Sequence, residues 1–375
     1  VADRAFALGS GHLVGPGAPC LLVAEIGNNH QGDAAVAARM VEAAARAGAD
    51  AVKFQKRDAA ALLTRRGLEA AYGGEHSFGA TYGEHRAALE LSADELAGLA
   101  RQARSLGLAF FASCWDMPSL ETMLGVGMDC VKIASADLVN LPMLRRAAGC
   151  GLPVLLSTGM SSWTEIDAAV ETLAPCRGRL ALLHCNSSYP CADAEVGLPV
   201  MAELARRYGL PVGYSGHERG VGPSVAAAAL GACVVERHFT LDVTQRGTDH
   251  AASLDPERFA LLAGLVREAE AALAVADKRV FPGETRAKRK LRKSVVYARN
   301  LAAGHVLAPA DLALKCPGDG VSPLRVEDLP GRALTRAVRR DERFAWADVR
   351  GGEDGADAEG GVAGDAGTAI SGDGE

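Results

Sequence analysis

The sequence predicts an α/β protein, a (β/α)8 TIM barrel followed by a small, mostly β domain. Three observations predict it. Eight short apolar runs rich in β-branched residues alternate with longer Ala/Leu-rich stretches between Cys20 and Phe239. Most of these runs are near-continuously apolar, as expected for a parallel sheet covered by helices on its outer face. Beyond a dense basic stretch at 278–293, the pattern changes to short strands and turns. Eight strand–helix units favour closure into a barrel over an open doubly wound sheet.

The eight runs fall at 20–26, 51–55, 108–112, 130–134, 153–156, 180–184, 211–214 and 233–237. Between them, 34–47 and 93–106 carry apolar residues at helical spacing. The segment 162–173, entered through Ser161, opens on Ser162-Trp163-Thr164-Glu165, a helix start with acidic charge in its first turn. The stretch 57–91, with Gly73-Gly74, His76, Tyr82 and His85, is long for one connection. A loop of that length in a compact domain is usually functional, and in a barrel it would lie over the catalytic face. The last helix is expected at 256–276, and a turn at Ala303-Gly304 belongs to the second domain. The expected division is a barrel at 1–277, a basic linker at 278–293, a small β domain at 294–350 and a disordered acidic, Gly-rich tail at 351–375.

With 375 residues, about half of them hydrophobic, the chain can fill one large core and one small one. Its formal charge of -6 belongs to the tail, which holds seven acidic residues and nine glycines without Lys or Arg. The remainder balances 39 acidic against 40 basic residues and calls for no cationic partner. The basic stretch lacks an interleaved set of aromatics, so a solvated connector is expected rather than a nucleic-acid site. Nine scattered cysteines without a CxxC pair argue against a disulfide framework or a zinc ribbon. No apolar run approaches the ~20 residues that span a bilayer, and the first residues lack the order of a signal peptide. A soluble, cytoplasmic protein without a membrane partner is expected.

Barrel active sites lie at the C-terminal ends of the strands. Here those ends supply Glu25, Lys53, Ser113, Lys132 with Ser135, Ser157 with Thr158, Asn186 with Ser187, Ser215 with His217, and Glu236 with His238. An apolar strand should not end in Lys unless that Lys has a partner. Two such lysines at one mouth imply an anionic ligand, a phosphate or a carboxylate. The bland alternative pairs Lys53 and Lys132 internally with Glu25 or Asp137. His217 and His238 follow neighbouring strands and could hold one divalent ion with open positions for substrate and water. Mn²⁺ or Mg²⁺ suits phosphate chemistry, and zinc stays open. His184, inside an apolar run, reads as structural, and His30 as a residue that orients Glu25. There is no GxxxxGK[ST], no strand-linked GxGxxG and no GxSxG. Nucleotide and serine-hydrolase readings therefore have little support.

Several strings carry a resemblance. They include 23–32 (Val-Ala-Glu-Ile-Gly-Asn-Asn-His-Gln-Gly), 51–55, 131–135, 156–160, 184–190, 213–217, 236–242 and 249–254. In this order they resemble the sialic acid (N-acetylneuraminate, or nonulosonic acid) synthase family, and the piece after 294 resembles its antifreeze-like (SAF) domain. The resemblance implies condensation of phosphoenolpyruvate with the open-chain aldehyde of an N-acyl hexosamine. It implies that His217 and His238 hold Mn²⁺ or Mg²⁺. It matches Lys53, Ser113, Lys132, Ser135, Ser157, Ser187 and Ser215 to positions that clamp phosphoenolpyruvate, and Glu25 to the acid that handles protons. Tyr189 and Asp249 match sugar-side contacts, and Asp137 stands where many members have a Glu. It further implies a domain-swapped homodimer. Cys316 departs from the family, replacing the Arg of a Lys-Arg-Pro-Gly segment that contacts the sugar's N-acyl group; either Lys315 or Arg325 compensates, or the acceptor is altered or 6-phosphorylated. Rival readings are a Schiff-base aldolase using Lys53 or Lys132, a shorter-chain keto-acid phosphate synthase, and a non-catalytic carbohydrate- or ice-binding protein.

Overall fold

The structure, a computed structural model, describes residues 5–9 and 11–351. The acidic tail expected at 351–375 therefore lies outside the described residues except for Gly351. Two compact units divide the chain at Val275/Ala276.

The first unit is a closed barrel of eight parallel strands: β3 (Leu21–Gly27), β4 (Ala51–Lys56), β5 (Ala109–Cys114), β6 (Val131–Ile133), β7 (Val154–Ser157), β8 (Leu180–Cys185), β9 (Val212–Gly216) and β10 (Val234–His238). Each bonds to the next, and β10 closes on β3 with His238 opposite Glu25. All eight expected runs are strands, displaced by one or two residues. Before them, a hairpin of β1 (Phe6–Leu8) and β2 (His12–Val14) covers the N-terminal end of the barrel. Leu8 and Val14 join the main core there, and His12 Nε2 lies 3.2 Å from the Gly107 carbonyl.

The outer layer contains α1 (Ala34–Arg46), α5 (Ala93–Ser105), α6 (Met117–Val126), α7 (Leu141–Ala148), α8 (Trp163–Thr172), α9 (Val200–Tyr208), α10 (Gly222–Ala229) and α11 (Pro256–Leu273). Their starts follow capping chemistry. Ser92 with Glu95 and Ser162 with Glu165 form capping boxes, and Asp33 and Asp255 cap α1 and α11, each cap contributing about 1 kcal/mol. The segment 57–91 is more ordered than a loop. It holds α2 (Ala59–Leu62), α3 (Arg65–Leu68) and α4 (Tyr82–Ala88), gathered around buried His85, whose ring lies 4.5 Å from Tyr72. Aromatics at irregular spacing hold it together, so no helical period announces it. None of the helices is long and apolar enough to cross a membrane among the described residues.

The second unit begins with the basic stretch, which contains α12 (Thr285–Leu291) rather than only a connector. Among the described residues, regular pairing in this unit is limited to β11 (Ser294–Tyr297) against β12 (Leu312–Lys315), supplemented by isolated bridges such as Leu301 with Val338. Its small core is built on Tyr297, Leu329, Phe344 and Trp346. The fully buried carboxylate of Asp311 ties three turns by accepting from Arg299 Nε, His305 Nε2 and the Ala308 amide at 2.7 to 2.9 Å. Gly304, at φ +83°, makes the expected turn.

Candidate active site

The alternation of each strand sends every second side chain into the barrel, and the last of these gather at the C-terminal mouth. There they line a cavity of about 250 Å³. Its wall includes Glu25, Lys53, Ser113, Lys132, Ser157, Ser215 and His238 from the strands, with Ser135, Ser187, Tyr189 and His217 from the loops just beyond them. Gly159 makes the serine side of this wall possible. A Cβ there would stand 2.5 Å from Ser187 Oγ and 2.8 Å from Ser135 Oγ, and its amide donates to Ser135 Oγ at 3.0 Å.

The two lysines are each only 3% exposed, so their charge has to be answered nearby. Lys53 Nζ lies 2.7 Å from Glu25 Oε2 and donates to Ser113 Oγ at 2.9 Å. Lys132 Nζ donates to Ser157 Oγ at 2.7 Å. A second carboxylate, Glu236, sits between the lysines at 3.6 and 3.8 Å and accepts from Ser215 Oγ at 3.1 Å. Internal pairing therefore occurs, but the partner of Lys132 is Glu236 and not Asp137. Burial is the largest influence on Glu25 and pushes its pKa up to about 7; Lys53 opposes this and Glu236 adds to it. Burial disfavours charge on Glu236 too, yet Lys132 and Lys53 outweigh it and hold that carboxyl below its ordinary value. Lys132 is lowered by burial despite Glu236, whereas the carboxylates hold Lys53 above its ordinary value against burial. Of the four charges, Glu25 is the one set to exchange a proton near neutrality.

His217 and His238 stand side by side with ring centroids 5.4 Å apart, and Tyr189 lies 4.0 Å from the first ring. His217 Nδ1 lies 2.7 Å from the Asn186 carbonyl, a geometry that fixes the proton on Nδ1 and leaves Nε2 as a lone-pair donor. His238 makes no hydrogen bond to the described residues, and its Nδ1 is fully buried. Burial lowers both rings, His217 to about 3, so both are neutral imidazoles. Two neutral imidazoles at one mouth, each with a ring nitrogen that makes no hydrogen bond, fit a divalent ion. Among the described residues no group of three or more His, Cys, Asp or Glu surrounds one point. A two-imidazole site would thus take its other ligands from substrate oxygens and water.

Asp137 and Asp249 do not line this cavity. Asp137 turns into the 3₁₀ segment after β6 and accepts from Asn140 Nδ2 at 3.2 Å. Asp249 lines a small adjoining hollow with Asn28, Phe78, His85 and Arg246, its Oδ2 3.9 Å from His238 Nδ1. His30 does not orient Glu25; it packs beside Phe54 and accepts from the Gly32 amide. Gln55 takes that place, donating to Glu25 Oε1 at 2.6 Å while Arg57, stacked 4.4 Å over Trp115, bonds to the Gln55 amide oxygen. His184 is structural, its Nε2 against the Val196 carbonyl at 2.6 Å. Gln55, Trp115 and Cys185 also line the wall without having been singled out as site residues, and Glu236, read as a strand-end acid, had been given no role. Glu236 had a signal: it stands two residues before His238 and so shares its face of the strand.

The sequence matches the NeuB family over residues 40–278 and the SAF domain over 292–350. It is 39% identical to the human N-acetylneuraminate-9-phosphate synthase over 88% of this chain and 93% of that one. It is 35% identical to the N,N'-diacetyllegionaminic acid synthase of Legionella pneumophila over 88% of this chain and 94% of that one. The crystal structure of a sialic acid synthetase from Leptospira borgpetersenii, solved with citrate, superposes with a TM-score of 0.66 at 31% identity, covering 76% of this chain and 95% of that one.

Proposed function

The chain belongs to the NeuB family, and from that premise we propose that it condenses phosphoenolpyruvate with an N-acyl hexosamine, N-acetylmannosamine or its 6-phosphate, releasing phosphate and a nonulosonic acid. The observation that carries this is the joining of two buried lysines, five serine hydroxyls and two neutral histidines in one cavity.

Lys53 and Lys132 bind the carboxylate and phosphate of phosphoenolpyruvate, helped by the hydroxyls of Ser113, Ser135, Ser157, Ser187 and Ser215. This is positioning, since the lysines hold the enol carbon over the aldehyde without bonding to it. As the new carbon–carbon bond forms, positive charge grows on the enol-ether carbon. Glu25 stands ready to take the proton of the water that adds there before the carbon–oxygen bond to phosphate breaks. Gln55 holds one carboxyl oxygen of Glu25 and Lys53 lies against the other, so the carboxyl is fixed from both sides. Tyr189 and Asp249 meet the sugar at the open side. A Mn²⁺ or Mg²⁺ ion on His217 and His238 would polarise the aldehyde oxygen and help balance the trianionic substrate. The homodimer and a cytoplasmic location belong to the same reading.

The test is incubation with phosphoenolpyruvate and a panel of N-acyl hexosamines and their 6-phosphates, followed by borohydride treatment. Phosphate and a nine-carbon 2-keto acid with at least one acceptor, and unmodified lysines, are expected. A reduced adduct on Lys53 or Lys132 would favour Schiff-base chemistry instead, and bound phosphoenolpyruvate that no acceptor consumes would remove the sugar assignment.

A further inference from the structure

Behind the cavity, on the outer face of the barrel, an ion pair is sealed where no substrate reaches. β10 turns Glu236 and His238 inward, so Arg237 between them points outward. It meets Glu218, the residue after His217, with Nη1 2.8 Å from Oε1 and both side chains 0% exposed. Ser224 of α10 donates to the same carboxylate oxygen at 2.7 Å, and the Tyr214 hydroxyl donates to the other at 2.7 Å. The guanidinium also donates to the Gly220 carbonyl at 2.8 Å and to the backbone carbonyl of Glu218.

The ladder between β9 and β10 ends at Gly216 with Arg237, so His217 and Glu218 lie beyond its last pair. Cys191 ties the same two residues from the other side, donating its amide to the His217 carbonyl at 3.0 Å and pairing with Glu218. Gly216 leaves room for the junction. A Cβ there would stand 2.5 Å from Glu218 Oε2 and 3.0 Å from Arg237 Cδ. A buried ion pair gains little net stability over an apolar pair of the same volume, because both charges lose their hydration. Its use lies in geometry, since a planar fork held by a carboxylate and two carbonyls admits few orientations.

We propose that Arg237 and Glu218 are positioning residues whose buried pair fixes His217 and His238 relative to each other for ion binding. The inference rests on the reading of those two histidines as ion ligands. Two imidazoles, one on β10 and one on the loop after β9, bind one ion only if their separation is held, and partners behind metal ligands commonly change affinity 10- to 100-fold.

The experiment compares Mn²⁺ affinity, by calorimetry and by the Mn²⁺ paramagnetic signal, in the metal-depleted full chain and in Arg237→Lys and Glu218→Gln. Phosphoenolpyruvate affinity without metal and thermal melting are measured beside it. Arg237→Lys keeps the charge and loses the fork; Glu218→Gln keeps the shape and loses the charge. The expected result is Mn²⁺ binding weaker by roughly tenfold or more in both, with phosphoenolpyruvate affinity unchanged. Should either fail to fold, Tyr214→Phe, which removes one bond to Glu218, carries the test, with a smaller loss of Mn²⁺ affinity expected. Unchanged Mn²⁺ affinity in a folded variant, or an equal loss of phosphoenolpyruvate affinity, would overturn the proposal. Failure of the unaltered protein to bind Mn²⁺ would instead overturn the ion reading and this inference with it.

Discussion

At Glu25, burial raises the carboxyl's pKa to about 7 against Lys53 and the bond from Gln55, both of which lower it. The sign follows from linkage. Folding binds a proton here, so the group's contribution to stability is present below about 4.3, the ordinary Glu value, and is lost as pH rises through about 7. As a base, Glu25 acts in its ionised form, so kcat/KM should rise with pH through about 7. Glu25→Gln should lower kcat by roughly 10²- to 10⁴-fold and lose that limb, while the substrate phosphate, titrating near about 6, affects both proteins alike. Coincident pH–rate profiles would exclude Glu25 as the base. Cys316 poses a narrower question. It is exposed and bonds the Leu291 carbonyl, while Lys315 is held by Asp341 and Arg325 by Asp328. Neither cation stands idle as a substitute for the family Arg. Cys316→Arg should therefore raise kcat/KM for N-acetylmannosamine relative to its 6-phosphate; an unaltered acceptor preference would show that position 316 does not select the sugar.

Among the elements, the strands were legible because a buried parallel strand writes itself as an apolar run that stops at the mouth. Lys53, Lys132 and His238 stand out against such runs; Gln55, uncharged at the edge of one, does not. The 57–91 segment was harder to read, since its order comes from Tyr72, Phe78 and Tyr82 around His85 and from no periodic pattern. His76 accepts from the Gly247 amide, which joins this segment to the loop after β10 beside Asp249. In the C-terminal unit regular pairing is sparse, so its turns depend on buried carboxylates. Asp311 is lowered to about 2 because its bonds from the Ala308 amide, His305 and Arg299 outweigh the effect of burial. Its contribution is thus present above about 4, the ordinary Asp value, and is lost as pH falls through about 2. Asp311→Ala should destabilise this unit by about 2 kcal/mol by leaving its donors unmatched, read as a lower denaturant midpoint at neutral pH. An unchanged midpoint would mean that the turns hold without it.

For the whole molecule, a barrel brings together groups from eight places in the sequence, and this explains what could be read in advance. Strand ends are local, so most of the cavity wall followed from the sequence. Asp137 follows the shortest barrel strand by a few residues, and only the 3₁₀ turn after β6 shows that its side chain leaves the wall. Pairing is not local either, and only closure shows Glu236 between two lysines from β4 and β6. In the proposed reaction that mouth is a single working unit, with lysines for the anion, Glu25 for the proton and histidines for an ion. The most direct test is phosphate release from phosphoenolpyruvate by metal-depleted protein, with its preferred N-acyl hexosamine, before and after adding Mn²⁺. Negligible release without the ion, restoration by Mn²⁺ and no restoration in His217→Ala are expected. Equal release with and without the ion, or full activity in His217→Ala, would contradict the proposed reaction.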